Sequence, residues 1–152
     1  MSTIRPGSKY NPLPLTKKLF SARNTHMLYC YSQLDYRVRP LVLSIKKWAK
    51  QNNINEARFQ TLSSYTLSLM VIHYLQAGVS PPVLPCLQKV HPDVFNCESD
   101  IFSLPYRAFP HTSHNSEPLG KLFVGFFKYY TDRRRYLKKE KKTRKVQLLF
   151  VF

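Results

Sequence analysis

Acid is scarce in this chain. Eight Asp and Glu residues among 152 stand against 24 Lys and Arg, a formal net charge of +16. That balance says little about fold but a good deal about partners: it favours nucleic acid, nucleotide or an acidic surface over cationic ligands. Cysteine is also scarce. Cys30, Cys86 and Cys97 are odd in number, form no Cys-x-x-Cys pair and have no histidine at zinc spacing, since His91 does not fit between Cys86 and Cys97. A zinc site or a disulfide framework is therefore not expected, and the thiols read as free in a reducing compartment. Long apolar runs are missing too. The most apolar stretch, "LSSYTLSLMVIHYLQ", is too short to span a bilayer and carries Ser, Tyr, His and Gln. The first residues, "MSTIRPGSKYNPLPLTKK", hold no apolar leader segment, so a soluble protein is expected. No Gly-x-Ser-x-Gly word and no base paired with Ser63 or Ser64 points to acyl chemistry.

What is present describes a folded domain. A content of 43% hydrophobic and 14% aromatic residues suffices for a core at this length. Residues 1–22 are Pro- and Lys-rich without a period and read as a loose arm. Asn24–Gln33, "NTHMLYCYSQ", predicts a helix with Asn24 at or near its cap. Val38, Leu41, Ile45, Trp48 and Asn52 recur at helical spacing and predict a second helix, with Pro40 harmless in its first turn. "TLSSYTLSLMVIHYLQAG" offers Thr61, Ser63 and Ser64 as caps, is apolar all round, and ends at Gly78, which predicts a central helix closed by a C′ glycine. "VSPPVLPCL" is a Pro-rich connector, and residues 89–118 read as a long polar loop. "SEPLGKLFVGFFKYYT" predicts a last helix, capped by Ser116 with Glu117 at its positive end. Residues 132–152 form a basic tail around "RRRYLKKEKKTRK". No strands or repeats are evident, so the fold class is mainly α.

Chemistry can be placed on two of these helices. Lys46 and Lys50 are i, i+4 neighbours on one face, with Arg39 on the same stripe. A solvated ridge usually mixes signs, yet Arg37 to Gln51 contains no Asp or Glu. Like charges at this spacing destabilise a helix slightly unless an anion offsets them, although a merely solvated ridge is the commoner reading of such a helix. "TLSSY" supplies a helix N-terminus with the hydroxyls of Ser63 and Ser64 and the ring of Tyr65, a combination suited to a phosphate beside a base. Plain capping with Tyr65 in the core is the simpler reading of the motif alone. His73 reads as a core histidine, and His91, His111 and His114 are assigned no role.

Taken together, "RNT", "RVRPLVL", "KKWAK", "TLSSY" and "GFFKYY" occur in an order that closely resembles the central domain of cytoplasmic poly(A) polymerases and terminal uridylyltransferases. These are DNA polymerase β-like nucleotidyltransferases, and the similarity is greatest to the germ-line-development type. Residues 23–88 resemble the helical central domain, and residues 119–131 resemble the start of its PAP-associated segment. The resemblance implies that Asn24, with Thr25 beside it, contacts the ribose. It implies that Lys46, Lys50 and Ser64 hold the triphosphate and that Tyr65 stacks on the base. It also implies ATP as substrate, RNA as acceptor, an RNA-binding partner protein, a cytoplasmic location, and Mg²⁺ or Mn²⁺ in the complete enzyme. No Gly-Ser word followed by an Asp-x-Asp pair matches that family's metal-holding half. The chain is thus expected to supply the nucleotide-holding half, with no catalytic residue or metal ligand of its own, and not to extend RNA alone. A basic RNA-binding module without activity is the alternative, and uridylyl transfer a further one.

Overall fold

The structure, a computed structural model, describes residues 15–55, 62–95 and 109–132. Five helices follow one another: α1 (Leu15–Leu34), α2 (Val38–Gln51), α3 (Ser64–Ala77), α4 (Leu87–Val90) and α5 (Leu119–Thr131). Among the described residues there is no strand, as the mainly α expectation requires. None of the helices is long and apolar enough to cross a membrane. The basic run after Asp132 lies outside the described residues.

The first helix begins earlier than its pattern predicted. It starts at Leu15, directly after Pro14, so Asn24 stands in its interior and does not cap it. Residues 15–22, read as part of a loose arm, are helical; residues 1–14 lie outside the described part. The cause is visible in the burial. Among the α1 side chains whose burial is described, those buried are His26, Cys30, Tyr31 and Leu34, so the pattern that shows in the sequence begins only past Asn24.

Helix α2 buries Val38, Leu41, Ile45 and Ala49. Trp48 lies at the margin of that stripe, half-buried, with its ring edge-on to Phe127 at 4.5 Å. The helix ends because Asn53 takes a left-handed conformation (φ 57). The N–H groups of Asn53 and Ile54 then turn back onto the carbonyls of Lys50 and Ala49, at 3.2 and 2.8 Å. Asn is one of the few residues that tolerate this backbone, which makes "QNNIN" a stop signal.

Helix α3 is central, packed against both α2 and α5. Of its candidate caps Ser63 is the one used: its Oγ accepts the Thr66 N–H at 3.0 Å. Gly78 closes the helix, but with φ −96, so left-handed freedom is not what selects glycine there. Space is: a Cβ would lie 2.8 Å from the Tyr74 carbonyl oxygen and 2.9 Å from the Tyr129 ring.

Helix α5 buries Leu122, Phe126 and Tyr129. Ser116 does not cap it. The cap position falls to Pro118, and Ser116 is exposed. Glu117 instead forms an ion pair with Lys121 at 2.8 Å, one turn on.

Arg37 is the largest departure from the sequence reading. At the head of the acid-free stretch that ends at Gln51, it is 4% exposed. It donates to Asp35 Oδ1 and Oδ2, to Asn115 Oδ1 at 3.2 Å and to the Glu117 carbonyl at 2.8 Å. Asn115 passes the connection on to the Pro81 carbonyl at 2.8 Å. His111 holds the Val83 carbonyl, also at 2.8 Å. Residues 109–118, read as polar loop, are therefore a strap tying the α1–α2 turn to the α3–α4 connector and to the start of α5.

Candidate nucleotide-binding site

The end of α2 and the start of α3 are tied together into one corner. The Ile54 carbonyl accepts the Leu62 N–H at 3.1 Å. Asn55 Nδ2 donates to Ser64 Oγ at 3.0 Å, and the same hydroxyl lies 3.4 Å from Asn55 Oδ1. Ser64 is thus the first residue of α3, one position past the cap, with its hydroxyl held and exposed. The N–H groups of Ser64 and Tyr65 in this first turn have no acceptor within the helix, and the helix dipole makes the corner positive.

Lysine arrives from the other element. Lys50 occupies the last turn of α2, exposed, and Lys46 lies one turn before it, half-buried. Both stand away from the buried stripe of Val38, Leu41, Ile45 and Ala49. Arg39 is exposed on the same side. The Tyr65 ring is not in the core: at 36% exposure it is among the accessible large side chains. Partial burial still raises the pKa of its phenol, leaving a neutral ring beside the positive corner. The simpler reading of "TLSSY" is thereby divided. Capping belongs to Ser63, while Ser64 and Tyr65 are both accessible.

Asn24 and Thr25 stand on α1, Asn24 half-buried and Thr25 exposed. The Thr25 hydroxyl donates to the Ser21 carbonyl at 2.9 Å, within its own helix. No side-chain hydrogen bond among the described residues links either of them to α2 or α3. The hydrogen-bonded corner therefore holds Ser64, with Tyr65 next to it, while Lys46 and Lys50 stand on the α2 helix that leads into it and the α1 pair lies outside its hydrogen bonding.

Among the described residues no group of three His, Cys, Asp or Glu side chains comes together to hold a metal ion. His73 faces the hydroxyls of Tyr129 and Tyr130 at 3.5 and 3.4 Å between α3 and α5, in keeping with a packing role. Asn55 was not singled out in the sequence. Its signal is faint: a second Asn, two residues past the one that stops α2.

No protein-family model matches the chain. Individual relatives match well. "Poly(A) RNA polymerase gld-2 homolog A" of Drosophila melanogaster is 50% identical over 113 residues, 72% of this chain and 8% of the relative. "Poly(A) RNA polymerase GLD2" of Mus musculus is 49% identical over 111 residues, 71% of this chain and 23% of the relative. Among solved structures, a non-canonical poly(A) polymerase complex, GLD-2 with GLD-3, matches with a TM-score of 0.68 and 43% identity, covering 74% of this chain and 36% of that one. GLD-2 in complex with RNP-8 matches with the same TM-score and identity, over 73% of this chain and 35% of that one. The Cid1 poly(U) polymerase with MgGTP bound reaches a TM-score of 0.60 and 37% identity, over 73% and 35%. The chain thus spans less than a quarter of the length of these curated relatives and about a third of the matched structures.

Proposed function

We propose that this chain, a homologue of the GLD2 poly(A) RNA polymerases over seven tenths of its length, supplies the nucleotide-holding part of an RNA 3′-terminal adenylyltransferase. Lys46, Lys50 and Ser64 take the triphosphate, Tyr65 stacks on the base, and Asn24 with Thr25 beside it contacts the ribose. The carrying observation is the α2–α3 corner. It sets an exposed hydroxyl and an exposed ring at a helix N-terminus, and the helix leading into it carries Lys46 and Lys50, which take part in neither of the described ion pairs. Two ammonium groups and a helix dipole stabilise the same anion, and the ring gives a neutral platform for a flat base.

Adenylyl transfer is preferred to uridylyl transfer because identity and structural similarity are both higher to GLD-2 than to Cid1. RNA is the proposed acceptor. Two of the similar structures are complexes of GLD-2 with a second protein, which supports a protein partner that presents the RNA. Cytoplasm is the proposed location, in keeping with the free thiols of Cys30 and Cys86. A divalent metal in the complete enzyme would neutralise charge on the phosphates. The described residues offer it no ligand set.

Calorimetric titration of the full chain with ATP tests the reading. Saturable binding that falls about tenfold in Lys46→Ala and again in Lys50→Ala is expected, since a charge-assisted contact contributes on the order of 1.5–3 kcal/mol. Equal affinity in all three proteins contradicts it.

A further inference from the structure

Asn55 belongs to no helix, yet it makes the only side-chain hydrogen bonds that Ser64 Oγ has among the described residues. Its position is well defined. The left-handed Asn53 turns the chain, the Ile54 N–H closes onto Ala49, and the Ile54 carbonyl receives the Leu62 N–H. Asn55 follows directly, half-buried, with its amide against the first residue of α3.

The two contacts have different chemical consequences. When Nδ2 donates to Ser64 Oγ, the 3.0 Å contact, a lone pair of the serine oxygen is occupied and its own hydrogen is left over. That hydrogen can then be given to an anion. Donation into the oxygen also polarises the O–H bond and strengthens the donation that follows. When the hydroxyl instead donates to Oδ1, the 3.4 Å contact, its hydrogen is used up. An anion at the corner selects the first arrangement, because only that one offers it a donor. Thr66 and Ser68 are not available to do this for Ser64. Thr66 is engaged with Ser63, and the Ser68 hydroxyl donates to the Ser64 carbonyl.

We infer that Asn55 is a positioning residue for the triphosphate: its amide N–H fixes the Ser64 hydroxyl and turns its proton toward the bound anion. The inference rests on the nucleotide-site reading above. It adds a residue that touches no ligand and acts through Ser64 alone, and it makes the identity of the atom facing Ser64, N–H or oxygen, a determinant of triphosphate affinity.

The test is a double-mutant cycle on the full chain, with ATP and AMP as probes and thermal melts to verify folding. Asn55→Ala is expected to weaken ATP about fivefold, the factor of a single hydrogen bond, and to leave AMP within twofold. Asn55→Asp keeps the size and shape but offers only acceptors and a negative charge, so it is expected to weaken ATP more than Asn55→Ala does. Asn55→Ala made in the Ser64→Ala background is expected to add nothing, because the two residues act as a unit. Loss of ATP affinity in Ser64→Ala with wild-type affinity in both Asn55 variants overturns the inference and leaves the site reading standing. Wild-type affinity in Ser64→Ala overturns both. Full additivity of Asn55→Ala and Ser64→Ala also overturns the inference, since Asn55 would then act by another route.

Discussion

Arg37 and Asp35 form a buried ion pair, Nη2 to Oδ2 at 2.7 Å, with side chains only 4% and 7% exposed. The pair is local in sequence and long-range in effect, because the same guanidinium reaches Asn115 and the Glu117 carbonyl. Burial alone would raise the Asp35 carboxyl pKa. The Arg37 hydrogen bonds and charge outweigh it and hold the value below the ordinary 3.8. A carboxylate whose pKa is depressed on folding adds stability above its unfolded value, and that stability is lost as the pH falls through the folded value. Asp35→Asn is therefore expected to cost about 3 kcal/mol at pH 7, since it strands a buried cation. Urea unfolding of both proteins between pH 7 and pH 2.5 should show the gap narrowing only below about pH 4. A gap independent of pH would mean that the pair contributes shape and not charge.

Gly125 and Tyr74 set how closely α5 approaches α3. A Cβ on Gly125 would run into the Tyr74 hydroxyl and come within 3.2 Å of Cζ, whereas Gly120 on the same helix has nothing within 4 Å. Gly125→Ala is expected to destabilise the chain by about 1–3 kcal/mol through overpacking. Gly120→Ala is expected to be neutral or to stabilise by up to about 1 kcal/mol. Paired thermal melts check this, and similar melting temperatures for the two variants would show that α5 can slide.

The Tyr31 hydroxyl joins three elements. It donates to Gln88 Oε1 at 2.9 Å and accepts from Gln76 Nε2 at 2.8 Å and from the Leu87 N–H at 3.0 Å. Desolvation pushes its pKa to about 12, so it stays a donor throughout the accessible range. Tyr31→Phe leaves the buried Leu87 N–H without its acceptor, at an expected cost of about 2 kcal/mol. Hydrogen exchange should quicken first at Leu87. Unchanged protection there would place the stability of α4 elsewhere.

Helices α2 and α5 were legible because each buries a face whose residues recur at helical spacing, Val38, Leu41 and Ile45 in the one, Leu122 and Phe126 in the other, and α3 because an apolar run stands between cap residues and Gly78. The start of α1 was hidden because Asn24, a residue type favoured at caps, drew the expected boundary nine residues past Leu15. Arg37 did not stand out because, Asp35 apart, its partners Asn115 and the Glu117 carbonyl lie 78 and 80 residues away, beyond the reach of local pattern. Lys46, Lys50, Ser64 and Tyr65 were legible as residue types. That Ser63 caps while Ser64 stays accessible depends on one backbone geometry that three successive candidate caps could not distinguish. Asn55 was invisible for the same reason: its meaning lies in a contact across nine positions.

The central claim is that a nucleoside triphosphate sits at the α2–α3 corner. Photocrosslinking of the full chain with 8-azido-ATP, followed by peptide mapping, tests it most directly. A saturable adduct on the peptide containing Tyr65, competed by ATP and lost in Lys46→Ala, is expected. Labelling confined to the basic run 133–145, unaffected by Lys46→Ala, would contradict it and leave a chain that holds nucleotides and RNA by charge alone.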